Sequence, residues 1–321
     1  AARAHAGDVE VARAVCGALC NLAVADGLEV PLVREGAHAV VMAMARAHAG
    51  NVGVVRSACI TLKNLATAAD NREPLFRDGA HTAVIAAAQA HAGDVDVARA
   101  ACWVLKMLAA ADGLEVPLVR DGAHTAVMAA ARAHADNVEV VRTACDTLLN
   151  LAAAADNKVP LVRDGAHTAV IAAARAHAGD VAVARAACGA LRNLAVEAAN
   201  CAPLVRDGAH TAVMAAARAH SGDAEVARRA CTVLQGMAAA DGLEMSLLRD
   251  GAHFMVMAAV RAHVGNVEVA RAACSTLFNL SLAPGCRGKL THDGVKEFLS
   301  YVSGLHPGDA TLQDVCRRVD L

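Results

Sequence analysis

Eleven cysteines and fifteen histidines are the residues of this 321-residue chain best suited to metal or redox chemistry, and their spacing tests that chemistry directly. Cys16, Cys59, Cys102, Cys145, Cys188, Cys231 and Cys274 follow one another at intervals of 43 residues. Two histidine rows keep the same interval: His38, His81, His124, His167, His210 and His253, and, ten residues further on, His48, His91, His134, His177, His220 and His263. Ligating sulfurs sit about 2.3 Å from a zinc ion and so within about 4 Å of one another. Copies of a residue in stacked helices lie roughly 10 Å apart, and ten residues span about 15 Å of helix. Neither row pattern then makes a metal ladder, and no cofactor is expected. The row cysteines read as small buried hydrophobes in a reducing cytoplasmic or nuclear compartment. Cys20 and Cys201 break the register, which predicts greater exposure for both. The histidines read as hydrogen-bonding groups at the two ends of one helix, bonded to turn backbone, with a pH-sensitive ridge as the alternative.

Other chemistries find no foothold. The chain has no phosphate loop, dinucleotide fingerprint, His-Glu-x-x-His helix or serine nucleophile elbow, and its carboxylates fall at turns and helix starts, where capping explains them. A catalytic dyad would stand apart from its repeat copies, and none does, so a non-enzymatic protein is expected. A net charge of −2 and 2% aromatic residues argue against a nucleic-acid partner, which needs basic excess and stacking platforms. No apolar run is long and uncharged enough to predict membrane insertion.

The elements that carry these rows repeat with the same period. Val11, Val54, Val97, Val140, Val183, Val226 and Val269 form one further row, and Leu19, Leu62, Leu105, Leu148, Leu191, Leu234 and Leu277 another. The unit from 155 to 197 breaks at Asp156-Asn157, Gly165 and Gly179-Asp180. Asp156 and Asn157 can cap a short helix with Pro160 in its first turn, Gly165 can take the left-handed conformation that ends it, and Asp180 can cap a third helix. Val181, Ala184, Cys188, Leu191 and Ala195 recur at three- and four-residue steps, a stripe that faces a core. The middle helix, from Ala166 to about Ala178, is apolar nearly all round and is expected to be sandwiched between neighbours.

A short helix, an Asp-Gly-Ala turn as at Asp121 to Ala123, a second helix, and a third ending in L-x-N-L-A resemble the armadillo repeat. The endings are Leu19 to Ala23, Leu62 to Ala66, Leu148 to Ala152 and Leu191 to Ala195. The resemblance implies an all-α, right-handed α-solenoid, a superhelix of three-helix repeats forming one domain over 1–321. We place a partial repeat at 1–25, six repeats at 26–68, 69–111, 112–154, 155–197, 198–240 and 241–283, and a divergent capping repeat at 284–321. Ala1 to Ala6 read as the last turn of a second helix with nothing before it, so further repeats or a partner are expected there. The chain is then monomeric or part of a larger one.

In proteins of this kind the third helices line a concave groove, and the asparagine of L-x-N-L-A holds the backbone of an extended peptide. The matching positions here are Asn21, Asn64, Met107, Asn150, Asn193, Gly236 and Asn279. Four residues earlier stand Gly17, Ile60, Trp103, Asp146, Gly189, Thr232 and Ser275, a varied row beside uniform core rows, as a binding surface would show. Arg13, Arg56, Arg99, Arg142, Arg185, Arg228 and Arg271, with Lys63, Lys106, Arg192 and Arg229, suggest a positive stripe for an acidic partner segment. Against this, carboxylates three residues before five of those arginines, at Glu10, Asp96, Glu139, Glu225 and Glu268, can neutralise them. The candidate groove residues are Asn21, Asn64, Trp103, Asn150, Asn193, Asn279, Arg99, Arg142 and Arg185. A protein-interaction scaffold is the expected function, with a structural spacer that makes its contacts at the ends as the alternative.

Overall fold

The computed structural model describes residues 8–319, and among them every regular element is helical. Ala1 to Ala6, expected to close a second helix, lie outside the described residues. The helices gather into two units that divide between Asn157 and Lys158. The first holds α1 (Val9–Leu22), α2 (Glu29–Arg34), α3 (Ala37–Ala47), α4 (Val52–Leu65), α5 (Arg72–Arg77), α6 (Ala80–Ala90), α7 (Val95–Leu108), α8 (Glu115–Arg120), α9 (Ala123–Ala133) and α10 (Val138–Leu151). The second holds α11 (Lys158–Arg163), α12 (Ala166–Ala176), α13 (Val181–Ala195), α14 (Ala198–Arg206), α15 (Ala209–Ala219) and α16 (Ala224–Ala238). It continues with α17 (Glu244–Arg249), α18 (Ala252–Ala262), α19 (Val267–Leu282), α20 (Pro284–His292), α21 (Val295–Leu305) and α22 (Ala310–Arg318). Each repeat is a short helix, an 11-residue helix and a longer third helix, and third helices stack in series as α1, α4, α7, α10 and as α13, α16, α19, α22.

Local chemistry sets these boundaries. Gly165 turns from α11 into α12 at φ 84°, where an L side chain is strained, and its copies from Gly36 to Gly294 do the same. Every third helix starts at an Asp or Asn whose side chain accepts from the first-turn backbone; Asp180 Oδ1 takes the Val183 N–H at 2.9 Å. Asn157 does something other than the expected N-capping: its amide donates backwards to the Leu151 carbonyl at 2.8 Å, closing the end of α10. Asn200 does likewise toward Leu194 O at 3.0 Å and also reaches Lys158 O of the preceding repeat at 3.1 Å. A buried amide can serve two helix ends in this way because it carries two N–H donors.

The core runs between the second and third helices of each repeat and between successive third helices. Leu105, Leu191, Leu234 and Leu277 are at most 1% exposed, and burial of each such side chain contributes about 1.5–3 kcal/mol. The seven row cysteines lie among them fully buried, as expected, and burial raises the Cys102 and Cys231 thiols to about 12. Cys201 contradicts its expected exposure: it is buried, with Sγ 3.5 Å from Ala195 O and 3.6 Å from Gly236 O. Cys20 is half-buried. The second helices are also less enclosed than their composition predicts. In α12, Ala166, His167, Val170, Ile171 and Ala173 are buried, whereas Thr168, Ala172, Arg175 and Ala176 face outward. Alanine costs little when exposed, so an apolar composition overstated how many sides of the helix are covered.

Buried threonines tie third helices across the repeat. Thr147 Oγ donates to Thr143 O at 2.8 Å and lies 3.3 Å from Cys102 O, and Thr276 stands in the same way to Ala272 and Cys231. Val104 and Val233 occupy the equivalent position in other repeats, fully buried. Thr147→Val is therefore expected to cost no more than about 1 kcal/mol, since only one added bond to an already bonded carbonyl is lost. A denaturation midpoint shifted by several kcal/mol would show that the hydroxyl holds more than this pair of helices.

Candidate functional site

The two histidine rows turn out to be seams between repeats. In the first row the ring Nε2 meets the aspartate of the next repeat's Asp-Gly turn: His38 with Asp78 at 2.8 Å, His81 with Asp121 at 3.1 Å, His167 with Asp207 at 2.8 Å, His210 with Asp250 at 2.8 Å and His253 with Asp293 at 2.9 Å. The carboxylate partner replaces the turn backbone expected from sequence. The Nδ1 atoms of these rings are buried without a partner, so the tautomer protonated at Nε2 satisfies the geometry. In the second row the backbone expectation holds at two positions, where His91 meets Ala49 O at 2.7 Å and His220 meets Ala178 O at 2.9 Å, and fails at His134 and His263, whose Nε2 atoms are buried without a partner. All of the first-row aspartates but Asp293 are shared with the preceding arginine, as in Arg77 with Asp78 at 3.2 Å and Arg206 with Asp207 at 2.8 Å, and Asp293 is shared with Lys289 at 2.9 Å. Among the described residues no three His, Cys, Asp or Glu side chains converge on a metal-sized site. No described helix is long and apolar enough to cross a membrane.

The third-helix arginine row is largely occupied too. Arg56 bonds Asp94, Arg185 bonds Asp223 and Arg271 bonds Asp309, in each case the residue that caps the third helix 38 positions further on. One aspartate thus caps a helix through Oδ1 and anchors the arginine of the preceding repeat through Oδ2, a double role invisible until the helices are stacked. Four of the five within-helix pairs form: Glu10–Arg13 at 3.4 Å, Asp96–Arg99 at 2.7 Å, Glu225–Arg228 at 2.8 Å and Glu268–Arg271 at 2.7 Å. Glu139 departs from the expected pairing and reaches back to Arg99 at 3.2 Å, because the stacked neighbour lies closer to it than its own Arg142.

The asparagine row occupies the open side of the third helices. In the first unit Asn21 is exposed, and Asn64 and Asn150 are half-buried. Asn150 Nδ2 donates to the Lys106 carbonyl of the preceding third helix at 3.3 Å. Asn279 in the second unit donates to Gln235 O at 3.0 Å. Asn64 Nδ2 faces Cys20 Sγ at 4.0 Å. Each such amide spends one N–H on the neighbouring helix, which leaves its carbonyl oxygen and a second N–H for another partner. Asn193 differs: its Oδ1 accepts from the Arg192 guanidinium at 3.0 Å.

Around these amides the varied positions cluster differently in each unit. In the first, the Trp103 ring lies between Lys63, 5.6 Å from its centroid, and Lys106, 5.1 Å away, and Lys106 is paired with Asp146 at 2.7 Å. Lys63 has no carboxylate partner there, and Arg142 meets none within that unit. In the second, Arg192, Arg228 and Arg229 surround a single carboxylate, Glu225, which bonds Arg228 at 2.8 Å and Arg229 at 2.5 Å. Burial and the two neighbouring cations push the Arg192 guanidinium below its ordinary range. The sequence reading named Arg99 and Arg185, both of which are paired, and left Arg192 as a secondary member. Charge balance with residues 33 positions or more away was the missing signal.

Three-helix repeats at a constant period, glycine-turned into second helices and stacked through their third helices, define an armadillo-type α-solenoid. The chain belongs to the LRRK2 ARM repeat family, whose model matches residues 1–286. No curated protein matches the sequence. Among solved structures it is similar to an engineered protein at a TM-score of 0.79 and 19% identity, covering 97% of this chain and 74% of that one. A second engineered protein matches at a TM-score of 0.60 and 19% identity, over 72% of this chain and 91% of that one. A structure from work on a phosphorylation switch controlling the interaction between cadherin and beta-catenin matches at a TM-score of 0.54 and 17% identity, over 97% of this chain and 69% of that one. At these identities the likeness is one of fold.

Proposed function

We propose that this protein is a non-enzymatic interaction scaffold that binds an extended segment of a partner protein along its third-helix face. The observation that carries this reading is the state of the asparagine amides. Asn150 and Asn279 are held in place by bonds to the preceding helix, while each retains one donor and one acceptor for another partner, the complement of a peptide group. Pinning a side chain before a ligand arrives reduces the ordering cost of binding. The armadillo fold is consistent with a protein-binding role, and the interaction of beta-catenin with cadherin is an instance in a protein of the same fold. Asn21, Asn64, Trp103 and Asn150 form the candidate face of the first unit, with Arg99 and Arg142 beside it, and Asn193 and Asn279 that of the second, with Arg185 beside it. The fully buried row thiols, which need no oxidising environment, fit a cytoplasmic or nuclear setting.

Acidic character in the partner follows from the cations left over once internal pairs are made. Lys63 and Arg142 in the first unit make no ion pair with a carboxylate of that unit, and in the second Arg192 shares Glu225 with Arg228 and Arg229, whereas Arg99 and Arg185 are spent on Asp96, Glu139 and Asp223. The test is binding of peptides graded from acidic to basic at two salt concentrations, to the wild type and to Asn64→Ala/Asn150→Ala and Lys63→Ala/Arg192→Ala variants with unchanged melting midpoints. A loss of roughly tenfold or more in the asparagine variant, about 1.4 kcal/mol, is expected, and a weaker salt dependence in the charge variant. Equal binding by all three proteins would sink the groove, and no capture of any peptide would favour a spacer whose contacts lie at its ends.

A further inference from the structure

Among the described residues, two thiols meet at one place. Cys316 Sγ in α22 lies 3.8 Å from Cys274 Sγ in α19. The meeting is a product of the repeat register. In the six full repeats the residue just before the row cysteine is alanine: Ala58, Ala101, Ala144, Ala187, Ala230 and Ala273. In the last repeat that alanine position is Cys316, and the row position is Arg317. The substitution moves the sulfur one residue back along the helix and sets it against the cysteine of the repeat before. In the six full repeats that position holds an alanine, which brings no second sulfur.

The two sulfurs differ in access. Cys274 is fully buried in α19. Cys316 is half-buried and lines an open cleft of about 220 Å³ between α21 and α22, together with Lys296, Leu299, Ser300, Ser303, Arg317 and Val319. The contact between the two sulfurs lowers the Cys316 thiol from its ordinary range, while that same contact and burial raise Cys274. One sulfur is therefore the more accessible, half-buried nucleophile and the other a shielded thiol in contact with it, the arrangement of a peroxide-sensing cysteine with its resolving partner.

We propose that Cys316 and Cys274 form a reversible, peroxide-driven disulfide that fastens α22 to α19. The Cys316 thiolate attacks one oxygen of a hydroperoxide, the O–O bond breaks, and the hydroxide that leaves takes up a proton as water, leaving a sulfenic acid on Cys316. The Cys274 sulfur then attacks the Cys316 sulfur; the S–O bond breaks, and the departing hydroxide takes the Cys274 proton as a second water. Two thiols are oxidised, one hydrogen peroxide is reduced, and a dithiol reductant reverses the change. Because the bond closes a loop of about forty residues, it restricts opening of the last helix pair. α22 is then free or fastened against α19 according to the oxidant present.

The experiment treats the full chain with one equivalent of hydrogen peroxide, blocks the remaining thiols, and maps peptides without reduction. The expected product is a single linked peptide joining Cys274 to Cys316, with two of the eleven thiols lost and both restored by dithiothreitol. Amide exchange across Ala310–Arg318 slows in the oxidised form. Cys316→Ser abolishes the linkage, as does Cys274→Ser, which leaves a sulfenic acid on Cys316 that dimedone labels. Cys20→Ser, which alters the half-buried thiol outside the pair, leaves the linkage intact. Recovery of Cys274 and Cys316 on separate peptides, whether unmodified or with Cys316 taken on to the sulfinic acid, would overturn the proposal. So would a linkage that survives Cys316→Ser.

Discussion

Gly236→Asn, which places an asparagine in the one row position occupied by glycine, is expected to destabilise the second unit by about 1–3 kcal/mol. The row predicts the opposite, since asparagine is the commonest residue at that position. The structure shows why it fails here. A Cβ added at Gly236 meets the Ala195 carbonyl oxygen at 2.7 Å and the Ala195 carbonyl carbon at 3.4 Å. Backbone cannot swing aside as a flexible side chain can, so α16 must move away from α13. The contact is close because α13 runs to Ala195 and the chain passes directly into α14, whose Cys201 packs against both the Ala195 and Gly236 carbonyls. Gly236→Ala carries the same Cβ and separates backbone contact from amide polarity: both variants should lose stability, with Asn losing at least as much. Urea unfolding followed by circular dichroism measures the shift. An unchanged midpoint in Gly236→Ala would mean that the helices separate at no cost.

Acid is expected to unfold this protein through its aspartates, with the unfolding midpoint in urea falling steeply between about pH 4 and pH 2. Unfolded aspartates titrate near 3.9. Six folded ones titrate lower, each for a visible reason: Asp78 by its bonds from His38 and Arg77, Asp94 from Arg56, Asp207 from Arg206 and His167, Asp223 from Arg185, Asp293 from Lys289 and His253, and Asp309 from Arg271. A depressed folded value means that the unfolded chain binds more protons over that interval. The stability these groups contribute is present above about pH 4 and is lost as the pH falls through their folded values. His253 adds a smaller loss at higher pH, because burial lowers its ring below the ordinary 6.5, so stability declines as the pH drops below that value. Asp207→Asn keeps the shape of the side chain and removes one titration, and its acid slope should be shallower than that of the wild type. A wild-type midpoint constant from pH 5 to pH 2.5 would falsify the linkage.

Both predictions rest on contacts between repeats. Within one repeat the sequence is readily legible. Gly165 and its copies, Asp180 and its copies, and the Val, Cys and Leu stripes act through neighbours three or four residues away, and the turns, caps and buried faces they imply are the ones observed. Errors concentrate where a side chain has a choice of partner. Asn157 and Cys201 were assigned from their immediate surroundings and found partners elsewhere. Glu139 had Arg142 within reach on its own helix and took Arg99 of the neighbouring one. The outward face of α12 was misjudged because alanine satisfies core and surface alike.

By itself the sequence determined the period, the three-helix unit and the family, all of which follow from local geometry repeated without insertion. Only the tertiary structure decided what the polar rows do. The first histidines meet aspartates 40 residues away, the arginines meet aspartates 38 residues away, and Cys274 meets Cys316 across 42. Such distances along the chain are set by how one repeat rotates and translates onto the next. A polar group bonds whichever partner that stacking brings within about 3 Å, and a one-residue change of position, as from Ala273 to Cys316, selects a different partner altogether.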